Sequence, residues 1–394
     1  MKPHSDSSLA AHCESEMRVL DADAAETART LAVEIARALA PLDDTHPFTP
    51  LLFHYLAAEA EHPNELRETA ERLLEQRVAS LGQLPHLGLY GGATGTAWLV
   101  AHITDSDRDP ADVDGDPLAD FDDALLEFVR EAPTDGFFDL ICGMVGYGVY
   151  FLERHPRGLA AAGLAAVVDA LLAMSRPHDH GLSWFTGPQL LYPHQREKDP
   201  NGHTDLGVAH GSAGVVYLLA KASQLNAHPR ASTALDQAVS ALLSNERDAP
   251  LPYCAGGAPA RVAWCYGDLG VGAALCVAGH CVGEPRWIAR GAALAERAFA
   301  RAEDDDGVVD ACLCHGALGN AHIFGRLFRL TNREVFAVAS RRDFERGLDH
   351  CMATPADHRW TADTSFTTGS LGMALCLLGL AGVDSSWDRL LCLS

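Results

Sequence analysis

The sequence has no apolar run long enough to span a bilayer. Its first stretch, Met1–Leu20, is polar and mixed in charge and lacks the apolar core of a secretory signal. Cations are scarce: 30 Lys and Arg face 53 Asp and Glu, for a net charge of −23. Binding along a nucleic-acid backbone needs clustered Lys and Arg, so this balance argues against nucleic acid as the main partner. It is compatible with a cationic peptide. A disulfide framework is missing too. Such frameworks are small and evenly paired, whereas here an odd count of 11 cysteines is spread over 394 residues. Several of them, such as Cys276 and Cys376, sit inside apolar stretches and read as small buried hydrophobes. These absences describe a soluble cytoplasmic protein. The Asp-rich stretch from Asp105 to Asp123 reads as a solvated loop leading into a helix.

What the chain has in quantity is hydrophobic residues, at 48%, and 35 glycines. The glycines are patterned. Gly-x-x-Gly followed by an apolar stretch occurs at Gly92–Gly95, Gly143–Gly146, Gly211–Gly214, Gly267–Gly270, Gly316–Gly319 and Gly369–Gly372. Successive first glycines lie 51, 68, 56, 49 and 53 residues apart. A near-regular period over so much chain signals a repeat architecture.

The apolar stretches Thr96–His102, Val149–Leu152, Val215–Ala220, Ala273–Ala278, Ala321–Leu330 and Met373–Leu380 read as buried helices. Between them, Leu159–Met174, Ser232–Leu243, Trp287–Ala300 and Ser340–Met352 carry apolar residues at helical spacing. The alternation predicts an all-α chain: a closed ring of helical hairpins, amphipathic helices outside and apolar helices inside. Glycines at the inner helix starts permit tight turns and close approach. They also leave the first N–H groups of each helix free to face a central cavity. Residues 21–394 read as one domain behind a polar tail at 1–20. The longest interval holds an irregular excursion at 177–206, rich in Pro, long enough to serve function but too short for a domain of its own.

Three of the turns are preceded by metal-competent residues: Ala209-His210-Gly211, Trp264-Cys265-Tyr266-Gly267 and Cys314-His315-Gly316. In a ring of repeats these turns point to one end and converge. Cys265, Cys314 and His315 then form a Cys₂His set with the fourth position of a zinc ion open, the pattern of a catalytic centre. A thiol taking that position is ionised at neutral pH. Cys312 and Cys254 compete as ligands but stand off the repeat position. Asp139 has two readings, a helix N-cap or a carboxylate that orients His210. Arg261, four residues before Cys265, is either half of a surface ion pair or a cation facing the cavity. His203, His322 and the His178/His180 pair belong to surface or core.

The segments Leu206–Gly214, Arg261–Gly267 and Leu313–Gly316, with Asp139–Gly143, resemble the signature motifs of LanC-type lanthionine cyclases, over about Gly88 to Gly372. The Trp-Cys-Tyr-Gly and Cys-His-Gly pair in this order is highly specific. The resemblance implies an α/α toroid, a double ring of about seven helical hairpins, six of them here with a Gly-x-x-Gly turn. It implies one zinc ion per chain on Cys265, Cys314 and His315. It gives His210 an acid–base role, with Asp139, Arg261 and Tyr266 around the reacting centre. The implied reaction is Michael-type addition of a peptide Cys thiolate to dehydroalanine or dehydrobutyrine, followed by protonation of the enolate at carbon. The implied partners are a dehydrated precursor peptide with its leader, a lanthipeptide dehydratase and an export transporter.

Two departures stand out. The seventh glycine turn, due near Asp43 to Thr49, is missing, which makes the first hairpin, between about Ala22 and Ala60, degenerate. Cys142 stands where nisin-type cyclases often carry a Glu. Competing readings are a LanC-like protein that adds glutathione to dehydroamino acids, a non-catalytic toroid scaffold and a zinc prenyltransferase. The intact ligand set with His210 and Asp139 disfavours the scaffold. The Cys-His-Gly motif at a repeat turn disfavours the prenyltransferase.

Overall fold

The computed structural model describes residues 18–42, 46–84, 86–104 and 116–394. Most of the tail at 1–20, the acidic stretch at 105–115 and residues 43–45 of the missing-turn region lie outside these described residues.

The chain is mostly helical. It runs through α1 (Ala22–Leu39), α2 (Thr49–Glu59), α3 (Asn64–Ala79), α4 (Ala93–Thr104), α5 (Ala119–Glu131), α6 (Met144–Arg154) and α7 (Ala160–Met174). After the excursion come α9 (Ser212–Gln224), α10 (Ala231–Leu243), α11 (Gly267–Val282), α12 (Pro285–Phe299), α13 (Ala317–Thr331), α14 (Glu334–Ala353) and α15 (Ser370–Leu380). The excursion itself forms a two-stranded antiparallel hairpin, β1 (Arg176–His178) and β2 (Gly181–Ser183), and a short helix, α8 (Pro193–Lys198). Its two histidines at 178 and 180 are exposed.

Local sequence explains the helix ends. The Asp21 side chain caps α1 by accepting from the Ala24 N–H at 2.9 Å. Gly283, at φ +68, ends α11 in the left-handed conformation, and Glu284 with Pro285 starts α12. Composition explains which helices go inside. Every residue of α11 from Gly267 to Gly279 is buried, whereas α12 buries only the stripe Gly291, Ala292, Leu294, Ala295 and Ala298. Burial of each large apolar side chain contributes roughly 1.5–3 kcal/mol before chain entropy is counted.

The apolar helices pack in a cycle: α2 on α4, then α6, α9, α11, α13 and α15, which returns to α2. Amphipathic partners lie against them, α3 on α2, α7 on α6, α10 on α9, α12 on α11 and α14 on α13. The partner of α15 is α1. The hairpin expected between Ala22 and Ala60 is therefore not a unit. The helix α2 pairs forward with α3, and α1 packs mainly against the last helix of the cycle. A local pattern gives no sign of a contact between the two termini.

Chain that follows α15 fills the middle. Trp387, Leu390, Leu391 and Cys392 are buried. The Tyr90 hydroxyl donates to the Leu390 carbonyl at 2.7 Å, and the Trp264 indole to that of Leu391 at 2.8 Å. The Arg326 guanidinium grips Asp388 twice, at 2.6 Å, and His322 Nε2 lies 2.9 Å from the same carboxylate. Although burial opposes it, Arg326 and His322 hold the Asp388 carboxyl well below the usual carboxylate range. Another acidic residue also departs from expectation. Asp122, read as part of a solvated stretch, is buried and accepts from the Arg154 guanidinium at 3.0 Å and the Tyr150 hydroxyl at 2.5 Å.

Candidate active site at the glycine turns

All six Gly-x-x-Gly turns lie at helix starts, at the beginnings of α4, α6, α9, α11, α13 and α15. The second glycine of each pair lies against the carbonyl six residues earlier. A Cβ would stand 2.0 Å from the Trp264 oxygen at Gly270 and 1.8 Å from the Leu313 oxygen at Gly319. No other residue fits there. The first glycine of the fourth turn, Gly267, also takes φ +78.

The sequence reading had the N–H groups at these helix starts free, but many of them are bonded. Met144, Val145 and Gly146 donate to the carbonyls of Phe137, Phe138 and Asp139, and Ser212, Ala317 and Ser370 bond in the same way to Asp205, Asp310 and Asp363. Each turn thus takes up donors of its own.

The turns are instead stitched to one another by backbone bonds. Tyr90 N–H donates to Ile141 O, Leu140 to Ala209, Val208 to Cys265, Trp264 to Cys314 and Cys314 to Thr367, over 2.8–3.2 Å. Five bonds thus join six turns in sequence order. At the open side of the series, Phe366 packs edge-on against Phe48, just before α2, with centroids 5.2 Å apart.

This stitching brings the expected site residues together. Donor atoms of Cys265, Cys314 and His315 all lie within 4.8 Å of one another. Cys265 is buried, and the other two are half-buried. A hydrogen bond from Cys314 makes the Cys265 thiol readily ionised against the opposing effect of burial, and His315 and Arg261 add to it. Cys314, facing that thiolate, is held protonated. The pair therefore gives up one proton easily. Two sulfurs and an imidazole fit zinc with one position open. Cys312 forms a rival set with Asp310 and His315. Burial pushes its thiol up to about 12, so it is the poorer donor.

Beside these thiols, His210 Nδ1 lies 2.5 Å from Asp139 Oδ2. The other Asp139 oxygen accepts from the Cys142 N–H at 2.8 Å. Asp139 is thus no N-cap of α6, whose cap is Gly143 without a side-chain bond. Burial would lower the His210 pKa, but the bond and charge of Asp139, with Asp205 and Cys265, outweigh it and raise the pKa. Arg261 is exposed, and among the described residues its side chain has no ion-pair partner. Burial first, then the charge of Asp205 and a hydrogen bond to it, hold the Tyr266 hydroxyl protonated. A cavity opens beside His210, lined by Phe137, Cys142, Leu190, Leu191 and Tyr192 among others.

Asp205 and Asp310 were not singled out from sequence. Asp205 is buried, pushed up to about 6 by burial, and accepts from the Gly207 N–H at 2.8 Å. Asp310 Oδ2 lies 3.7 Å from His315 Nε2. A signal was present: Asp205, Asp310 and Asp363 each stand six residues before the first glycine of their turn, and each accepts from the N–H two residues on.

A family model described as lanthionine synthetase C-like protein matches residues 49–392. Comparison with the sequences of curated proteins finds no match. Among solved structures, nisin cyclase superposes with a TM-score of 0.75 at 20% identity, over 93% of this chain and 97% of that one. At that identity the likeness concerns the fold.

Proposed function

The chain belongs to the lanthionine synthetase C-like family, and from that premise we propose that it is a zinc-dependent lanthionine cyclase. We read residues 21–394 as one α/α toroid domain, the cycle of seven apolar helices forming its inner ring. One observation carries the proposal: the three metal-competent donors converge next to a histidine already engaged by a carboxylate. Zinc bound by Cys265, Cys314 and His315 would supply a substrate thiol that is ionised at neutral pH.

The remaining steps fall to the protein's own side chains. The thiolate sulfur adds to the β-carbon of dehydroalanine or dehydrobutyrine in the same peptide. A C–S bond forms, and the displaced π electrons make an enolate. With its Nδ1 hydrogen donated to Asp139, the His210 imidazolium presents its Nε2 proton outward. That proton goes to the α-carbon, which completes the thioether. The proton lost by the incoming thiol restores the imidazolium, so the cycle is balanced. Arg261, exposed and without an ion pair among the described residues, is available to the enolate oxygen. Tyr266, held protonated beside Asp205, donates rather than accepts. The partner is a dehydrated precursor peptide with its leader, in company with a lanthipeptide dehydratase and an export transporter.

The test is to incubate the protein with a dehydrated precursor peptide. Mass spectrometry after thiol alkylation counts the free cysteines left. Loss of alkylatable cysteine above the uncatalysed rate supports cyclisation. Adducts formed only with added glutathione, with no rings, would reassign the substrate, and no reaction with either would leave no cyclase.

A further inference from the structure

At the wall of the cavity, segments far apart in sequence are held together by main-chain bonds. Thr186 and His203 exchange N–H···O bonds of 2.8 and 3.1 Å. The Ala255 N–H donates to the Thr204 carbonyl at 2.9 Å, and that of Leu206 to the Tyr253 carbonyl at 3.0 Å. On this small framework the side chains of Asp199, His203 and Cys254 converge, with donor atoms all within 4.8 Å of one another. That is the same mutual proximity that unites Cys265, Cys314 and His315. His203 and Cys254 are buried, and a Cβ at Gly257 would stand 2.9 Å from the Cys254 sulfur. The glycine keeps space beside the thiol.

The local charge is unbalanced. His203 Nδ1 lies 2.8 Å from Asp199 Oδ2, and its Nε2 lies 3.8 Å from Asp205 Oδ2. Among the described residues, the ion pairs of both carboxylates involve only this imidazole, with no Lys or Arg. Asp205 is buried and Asp199 half-buried, with the Tyr253 hydroxyl donating to Asp199 Oδ2 at 3.2 Å; carboxylates withdrawn from water without enough positive charge are costly, and a bound cation is one way to compensate them.

We propose that Asp199, His203 and Cys254 form a second metal site, for a divalent transition ion of borderline softness such as zinc. One sulfur, one imidazole nitrogen and one carboxylate oxygen suit such an ion. Mg²⁺ and Ca²⁺, which prefer oxygen ligands, would be poorly served. Three protein ligands leave one position for water. The ion's role is that of a clamp. Asp199 closes α8, whose first turn carries Gln195 next to Tyr192, and both line the cavity beside His210. A metal at Asp199 would tie that wall to the segment at 253–255. The cysteine that stands off the repeat position then has a role of its own.

Metal content of the full-length protein decides the matter. Wild type should carry about two zinc ions per chain, one on the donors around His315 and one on Asp199, His203 and Cys254. Cys254→Ala and His203→Ala should each lose one and keep the other. The Cys314→Ala/His315→Ala variant, which removes both sets containing His315, should retain one. After cobalt exchange, that variant should still show a thiolate-to-cobalt charge-transfer band, which Cys254→Ala added to it should abolish. A single zinc in wild type, unchanged in Cys254→Ala and His203→Ala, overturns the proposal. Should those variants not fold, a missing cobalt–thiolate band in Cys314→Ala/His315→Ala overturns it equally. Failure of the cyclase reading would instead appear as absent ring formation with both metals in place.

Discussion

This chain holds two sets of polar groups that resemble each other in residue type and differ in what they touch. Around the segment after α15, His322 and Arg326 share Asp388, while His102 lies between Tyr55, at 2.6 Å, and Glu153, at 2.9 Å, which also takes Arg389. Each charged group there faces an opposite one. At the glycine turns, His210 has one carboxylate and keeps Nε2 available, Arg261 has no ion pair among the described residues, and the Cys265 thiol is readily ionised. Histidine beside aspartate is common to both. An open His210 Nε2 on a cavity wall and an exposed Arg261 set the second group apart from the first.

Substitutions on the two sides should separate cleanly. The largest effect should follow His210→Ala, which should keep its metal while ring formation slows by about 10²- to 10⁴-fold. Mass-spectrometric ring counting together with zinc analysis checks both halves. Asp388→Ala should do the opposite. Leaving Arg326 and His322 buried without their carboxylate should cost about 3–5 kcal/mol of stability, read from denaturant unfolding. The rate per folded molecule at low temperature should be nearly unchanged. If Asp388→Ala slows chemistry as much as it lowers stability, the two sets are not independent.

Asp139→Asn should be milder, because the Nδ1 contact persists but the charge is lost. Its sharper signature is in pH. The His210 pKa is raised in the folded protein, so activity that needs the imidazolium should hold below that pKa and fall as pH rises through it. In Asp139→Asn the fall should move to lower pH. The same shift has a linkage sign. The His210–Asp139 contact contributes stability that is fully present below the ordinary histidine pKa and is lost as pH rises through the folded one. A pH profile of activity that is identical in the two proteins would sever Asp139 from the mechanism. The smallest effect should come from Cys142→Ser, a half-buried thiol that burial and Asp139 push up to about 11. As an un-ionised bystander at the cavity wall it should alter the rate less than about threefold, within the range expected of a substitution that removes no named interaction.

Much of this was legible from residue spacing. The glycine period located six helix starts, and the polar residues just before the turns named the cluster that the fold assembles. His322, assigned to surface or core, is in the core. What spacing did not reveal has physical causes. The pairing of α1 with α15 joins elements more than three hundred residues apart and leaves no local periodicity. The N–H groups at the helix starts were read as available because helix ends leave donors over, yet each turn folds back to use them. Asp205 escaped notice although its position recurs in two other turns, since an acid in a loop has many uses. The clustering of Cys254 with His203 depends on three segments meeting, which no linear pattern records. The region of the absent seventh turn includes residues 43–45, which lie outside the described residues.

The stitching between turns has a bearing on how such a molecule can change. Register from one turn to the next is fixed by amide groups, those of Tyr90, Leu140, Val208, Trp264 and Cys314. Every amino acid but proline supplies an amide hydrogen, so the frame is indifferent to what is written on it. Ile141, Ala209, Cys265 and Thr367 contribute only a carbonyl to the frame and Cys314 an amide and a carbonyl, so their side chains are open to revision. A lineage could exchange a metal ligand for an acid, or an inert methyl for a thiol, at one turn without rebuilding its neighbours. The molecule is in this sense an alphabet of positions around a fixed circle, in which new chemistry is a matter of spelling.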